Sequence, residues 1–220
     1  MKRFAAYVLL IPKWAAAFAK RLLPPSSDGS MRSMATKKKS EAAKKQAAEA
    51  AKPRLKRQVF VEGHKRKFLV VVDETPECES ALAFAASRAQ RTQGQLALLY
   101  VVEPGADFPH WLGVEEIARE EGHNKARAVF RLFGRKLKTM GFEDVVPEEI
   151  VREGVKAEEI TKLIEEDPDI GVLVLGASKD PSGPGPLVAT LAGGRLAGTF
   201  PVPITVVPGC LGLEEILALA

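Results

Sequence analysis

The sequence predicts an α/β fold: a single open, doubly wound sheet of five parallel strands in the order 3-2-1-4-5, with helices on both faces, plus a basic N-terminal arm. Three observations predict it. Short β-branched runs alternate with helical patterns from Phe68 onward, the signature of βαβ units and a mostly parallel sheet. The runs at Phe68–Val72 and Val172–Leu175 are continuously apolar, as strands buried on both faces must be. Charge is also partitioned. Met1–Lys67 holds 18 Lys/Arg against 4 Asp/Glu and Phe68–Ala220 holds 14 against 24, so the formal +4 joins a +14 arm to a −10 body.

Residues 1–33 read as a leader. Phe4–Ile11 is apolar behind Lys2-Arg3, but Pro12-Lys13 interrupts it. The run is too short to span a bilayer, and no A-x-A-type cleavage pattern is well placed after it. Two readings stand. One is an interfacial helix over Phe4–Leu23 with Trp14 and Phe18 as anchors. The other is an upstream extension, because Met34-Ala-Thr-Lys-Lys-Lys reads like a cytosolic start. Residues 34–64 form an Ala/Lys-rich arm of good helix formers with no apolar stripe to bury, hence a disordered or frayed helix. Its charge predicts weak contact with nucleic acid or an anionic membrane, against the plainer reading of a solvated tail. No pattern of aromatic residues interleaves with the lysines, Phe60 being the one Phe, Tyr or Trp in the arm, which argues against base stacking.

The body, residues 65–210, opens with a strand at Lys67–Val72. Asp73-Glu-Thr-Pro76 ends it, with Thr75 as N-cap and Pro76 at the first helical position. The helix to about Thr92 sets Cys78, Leu82, Ala85, Ala86 and Ala89 on one side, and a second strand spans Gln95–Val102. A long helix over Val114–Met140 carries Ile117, Val129, Phe130, Phe133 and Leu137, with Gly141 at its C′ position. Val145–Val151 is the third strand, confined to an edge by Pro147. Lys156–Glu166 is a short amphipathic helix, and Ile170–Leu175 is the fourth strand. A loop, a helix at about Leu187–Leu196 and a last strand at Pro203–Val207 follow. Residues 211–220 are a tail that ends in a turn of helix.

With the first and fourth strands adjacent, strand order reverses between them and a crevice opens above their carboxyl ends. Asp73 and Gly176 then face each other. The loop after Gly176 is rich in glycine and small residues, and amides freed there ahead of a helix form a cradle for phosphate. His110-Trp111 reads as a packed cover of the crevice rather than a catalytic pair. Other chemistry finds no support in the residues. His64, His110 and His123 lack metal-ligand spacing, and there is no G-x-x-x-x-G-K-[ST] loop or G-x-S-x-G turn. Glu115-Glu116 and Glu120-Glu121 read as a solvated helix face. Two distant cysteines, Cys78 and Cys210, fit a reduced cytoplasmic protein, with Cys78 a structural thiol.

From about Lys65 to Pro208 the chain resembles the universal stress protein family. Val-Val-Asp73, Leu-Leu-Tyr-Val-Val102, Arg152-Glu-Gly154, Leu173-Val-Leu-Gly176 and Phe-Pro-Val-Pro203-Ile-Thr-Val-Val207 carry the resemblance by their order and spacing. It implies an adenine-nucleotide-binding α/β fold and a homodimer formed through the last strand. It implies ATP or another adenine nucleotide as ligand, with Mg, and a stress-response role without dedicated catalysis beyond slow hydrolysis. Asp73 takes the adenosine role with Thr75 beside it, and the backbone at Val102 takes the adenine contact. The family's G-x-x-G-x9-G-[ST] loop maps onto Gly176 and Thr190, but Lys179 and Ala189 stand at its second and third glycines. Either Lys179 and Ser182, with the neighbouring Gly183, replace the lost amide contacts, or Pro181, Pro184 and Pro186 have rigidified a loop that no longer fits phosphate. A non-nucleotide interaction module, dimeric and docked through its basic arm, is the alternative function.

Overall fold

Alternation within one strand sets the architecture. In strand β1 (Lys67–Val71), Phe68 and Val70 enter one hydrophobic core and Leu69 and Val71 another, so both faces of the strand need cover. The computed structural model, which describes residues 55–103, 112–194 and 196–220, supplies that cover with helices on each side. The remaining elements are α1 (Glu77–Arg91), β2 (Gln95–Val102), α2 (Leu112–Thr139), β3 (Glu148–Glu153), α3 (Lys156–Glu166), β4 (Ile170–Ala177), β5 (Ile204–Pro208) and α4 (Leu213–Leu219). All five strands are parallel in the order β3-β2-β1-β4-β5, as the sequence predicts.

One core packs Phe68, Val70, Leu96 and Leu98 against Leu82 of α1, Phe130 and Phe133 of α2 and Ile216 of α4. The other packs Leu69, Val71, Leu99 and Leu173 against Ile160 and Ile164 of α3 and Leu191. The chain enters along the amino ends of the strands. There the Arg57 guanidinium donates to the carbonyls of Ile164 at 2.6 Å and Asp167 at 2.8 Å. The Arg66 guanidinium lies over the rings of Phe60 and Phe68, 5.9 and 4.7 Å from their centroids. These contacts leave the carboxyl ends of β1 and β4 free to form a site.

Three local expectations are corrected. The third strand begins at Glu148, not Val145, because Val145 donates its amide to the Phe142 carbonyl in a turn and Pro147 lies before the strand. It is still an edge strand, pairing with β2 alone among the described residues. Thr75 does not cap α1 with its side chain, since its hydroxyl is committed to Asp73. The helix expected near Leu187–Leu196 is a five-residue π-helical turn, Val188–Ala192, closed by a bond from the Gly193 amide to the Val188 carbonyl. The leader and basic arm up to residue 54, and the His110-Trp111 cover, lie outside the described residues.

Candidate functional site

The site starts where β1 ends. Asp73 follows Val72 out of the sheet and its Oδ1 accepts three hydrogen bonds: from the Thr75 amide at 2.9 Å, the Thr75 hydroxyl at 2.5 Å and the Cys78 thiol at 3.0 Å. Among the described residues nothing donates to Oδ2. One carboxylate oxygen therefore fixes the side chain while the other stays available as an acceptor. Burial alone pulls the Asp73 carboxyl upward in pKa. Hydrogen bonds from Cys78 and Thr75, and the charge of Lys156, outweigh it and hold the group below the usual aspartate value. Burial and then the adjacent Asp73 charge push the Cys78 thiol up to about 12, so it stays protonated and donates.

Across the crevice, Gly176 lies beneath the start of α1. A Cβ there would overlap the backbone carbonyl of Glu77. Its glycine identity is thus explained by helix-on-strand approach alone. The loop that follows turns its amides inward. Ser178 donates to the Pro184 carbonyl at 3.1 Å, Asp180 to the Ser178 hydroxyl at 3.2 Å, Ser182 to Asp180 Oδ1 at 2.7 Å and Gly183 to the Asp180 carbonyl at 3.1 Å. The bonds at Ser182 hold the Asp180 carboxyl below its ordinary value. Pro181, Pro184 and Pro186 contribute no N–H at all.

A cavity of about 380 Å³ occupies the crevice, in the range of small-molecule pockets. Its walls include Asp73, Thr75, Glu77 and Cys78 from one side, Gly176, Pro186 and Thr190 from another, and Glu103 with Lys156 at the third. Lys156 opens α3, with its Nζ 3.6 Å from Glu103. It is the one Lys or Arg on these walls among the described residues. A second cavity of about 480 Å³ shares Glu77, Pro184, Gly185 and Pro186 with the first. Ser178, Asp180, Ser182, Gly183 and Ala189 complete it.

Of the residues the sequence singles out, Asp73, Thr75, Gly176 and Thr190 meet at the first cavity, and Ser182 and Gly183 at the second. Val102 and Lys179 line neither. The Val102 side chain packs where a Cβ on Gly122 would fall, and its carbonyl accepts from the Gly154 amide at 3.0 Å. Lys179 stands beside Gly209, whose amide donates to Ala177. Sequence reasoning missed Lys156 and Glu103 as cavity walls, and missed Cys78 as the partner of Asp73. Lys156 had a signal: it opens the helix just beyond the carboxyl end of a strand, where ligands of open α/β sheets sit. Among the described residues no three His, Cys, Asp or Glu side chains are grouped to hold a metal ion. No described helix is long and apolar enough to cross a membrane.

The sequence profile of the Universal stress protein family matches residues 64–208. A solved universal stress protein, UspA from Lactobacillus plantarum, shares 20% identity at a TM-score of 0.52, covering 66% of this chain and 99% of its own. A second, from Archaeoglobus fulgidus, gives 16% identity and a TM-score of 0.49 over 68% of this chain and 98% of its own. An Archaeoglobus fulgidus universal stress protein in complex with dAMP gives 15% identity and a TM-score of 0.46, covering 64% of this chain and 97% of its own. No curated protein sequence matches the chain. With the profile spanning well over half of the sequence and the sheet order in place, the chain belongs to the universal stress protein family.

Proposed function

We propose that the crevice between β1 and β4 binds an adenine nucleotide, and that the protein acts in a stress response through that bound state rather than through catalysis. One observation carries this reading. Asp73 sits at the topological switch point, anchored through Oδ1, with Oδ2 open at the edge of a cavity large enough for a nucleoside. A carboxylate held this way accepts from a ribose hydroxyl or an adenine amino group without reorganising. Residues 64–208 supply the family context. The residues assigned to the ligand are Asp73, Thr75 and Thr190, with Gly176 shaping the floor beneath α1.

Dimerisation belongs to the same proposal. β5 pairs with β4 alone and leaves its other edge unpaired among the described residues, with Val206 37% exposed beside it. An unpaired, partly apolar edge favours association with another strand. The experiment for the central reading is mass analysis of small molecules released by denaturing freshly purified full-length protein, together with calorimetric titration by adenosine, AMP and ATP. An adenine compound in the release, or saturable heat with any of the three, supports the proposal. Folded protein that releases none and binds none refutes it.

A second reading rests on the +14 charge of residues 1–67. An arm of that charge docks on nucleic acid or an anionic membrane by neutralising phosphates, and its affinity falls steeply with salt. Binding to both surfaces that is indifferent to salt, or to removal of residues 1–54, counts against it.

A further inference from the structure

The proposed adenine nucleotide needs groups to meet its phosphates, and the number of such groups decides which nucleotide fits. Among the described residues of the first cavity a single ammonium, Lys156, faces three carboxylates, Asp73, Glu77 and Glu103. Lys156 already leans on Glu103 at 3.6 Å, a long and half-exposed ion pair that a phosphate readily displaces. Beyond Pro184–Pro186 the second cavity has no Lys or Arg on its walls among the described residues, but does have Glu77 and Asp180.

Between Ser178 and Gly183 backbone donors do not compensate, and at this wall the Gly185 amide, which borders both cavities, is left without an acceptor among the described residues. The amides of Ser178, Asp180, Ser182 and Gly183 are all spent on acceptors within the loop. Only Lys179 between them keeps an amide without an acceptor among the described residues, and Lys179 borders neither cavity. A phosphate chain running along this loop meets two carboxylates and a row of committed amides. The repulsion is strongest where water is excluded and is weakened, though not abolished at contact distance, where water and salt reach the carboxylates. Among the described residues, Mg-bridged triphosphate meets no group of three His, Cys, Asp or Glu side chains that could hold the ion.

We infer that the crevice selects a nucleoside or nucleoside monophosphate against a nucleoside triphosphate. Lys156 meets one phosphate, and Glu77 with Asp180 turns away those beyond it. This selectivity rests on the nucleotide reading of the same site.

The test is calorimetric titration of the full-length protein with adenosine, AMP, ATP and ATP with Mg²⁺ at one ionic strength. AMP is expected to bind at least tenfold more tightly than ATP, with or without Mg²⁺. Lys156→Gln is expected to weaken AMP at least threefold more than adenosine. Glu77→Gln combined with Asp180→Asn, checked for folding by circular dichroism, is expected to narrow the gap between AMP and ATP by threefold or more. ATP binding within threefold of AMP, in either metal condition, overturns the selectivity while leaving the nucleotide reading intact. Absence of binding by all three ligands overturns both.

Discussion

Replacing Gly176 by alanine separates two explanations of the same glycine. If Gly176 is there to let backbone amides approach phosphate, a methyl group costs affinity and little stability. The structure places the Glu77 carbonyl where that methyl would go, so α1 must lift from the end of β4. Forced overpacking of this kind costs about 1–3 kcal/mol. Stiffening the unfolded chain by Gly→Ala returns about 0.4–1 kcal/mol of that. The net loss is roughly 1–2 kcal/mol, or about 2–8 °C in melting temperature for a domain of this size. Gly134 is the control, since it lies inside α2 with nothing within 4 Å of an added Cβ. Gly134→Ala is expected to stabilise by about 0.5–1 kcal/mol, the ordinary helix gain. Thermal and urea unfolding followed by circular dichroism measure both. A Gly176→Ala protein as stable as the parent, or more so, contradicts the packing account. The result also bears on binding, because Glu77 lines both cavities and moves with α1.

Cys78 should make the fold sensitive to alkali. Its pKa is raised from 9.0 to about 12 in the folded state, so the unfolded chain releases the proton first and stability drops as pH rises through that window. Unfolding free energy is expected to fall by up to about 1.4 kcal/mol per pH unit there, less in Cys78→Ala; a slope unchanged by that substitution sinks the assignment. Asp73 acts at the other end. Its depressed pKa contributes stability above the unfolded value that is lost as pH falls through the folded one, and Asp73→Asn should flatten the acid limb of the same titration. Iodoacetamide at neutral pH should label exposed Cys210 in native protein and spare buried Cys78, with equal labelling of both counting against the site geometry. On the β5 edge, Val206→Lys is expected to shift sedimentation from dimer toward monomer, and an unaffected dimer places the interface elsewhere.

How much of this was legible in the sequence depends on what each residue answers to. β2 and α3 fall on their expected bounds because their patterns are local: a continuous apolar run in one, and Ile160, Leu163 and Ile164 on a single face in the other. β3 was displaced because its start is set by a turn and by pairing rather than by propensity. Val145 is held in a turn by the Phe142 carbonyl, and Glu148 stands opposite Ala97 of β2, a residue that no local window around Val145 contains. The site divides in the same way. Asp73 and Gly176 could be placed at the crevice because they lie at strand ends, and strand ends are visible in sequence. The role of Gly176 was not visible, because the Glu77 carbonyl above it arrives from another part of the chain. Val102 and Lys179 were carried over by family position, and here one packs against Gly122 while the other stands beside Gly209. The spent amides of the loop were unreadable too, since they depend on Asp180 folding back over Ser182 and Gly183.

The most direct test of the central claim is the affinity of full-length Asp73→Asn for AMP, set against the parent by calorimetry. Asparagine keeps an oxygen where Thr75 and Cys78 donate, and replaces only the open acceptor Oδ2 with an amide. The fold is therefore retained while the ligand contact is lost. A charge-assisted hydrogen bond is worth about 1.5–3 kcal/mol, so binding should weaken by roughly tenfold or more. AMP bound equally well by both proteins would contradict the claim that Asp73 holds a nucleotide in the crevice between β1 and β4.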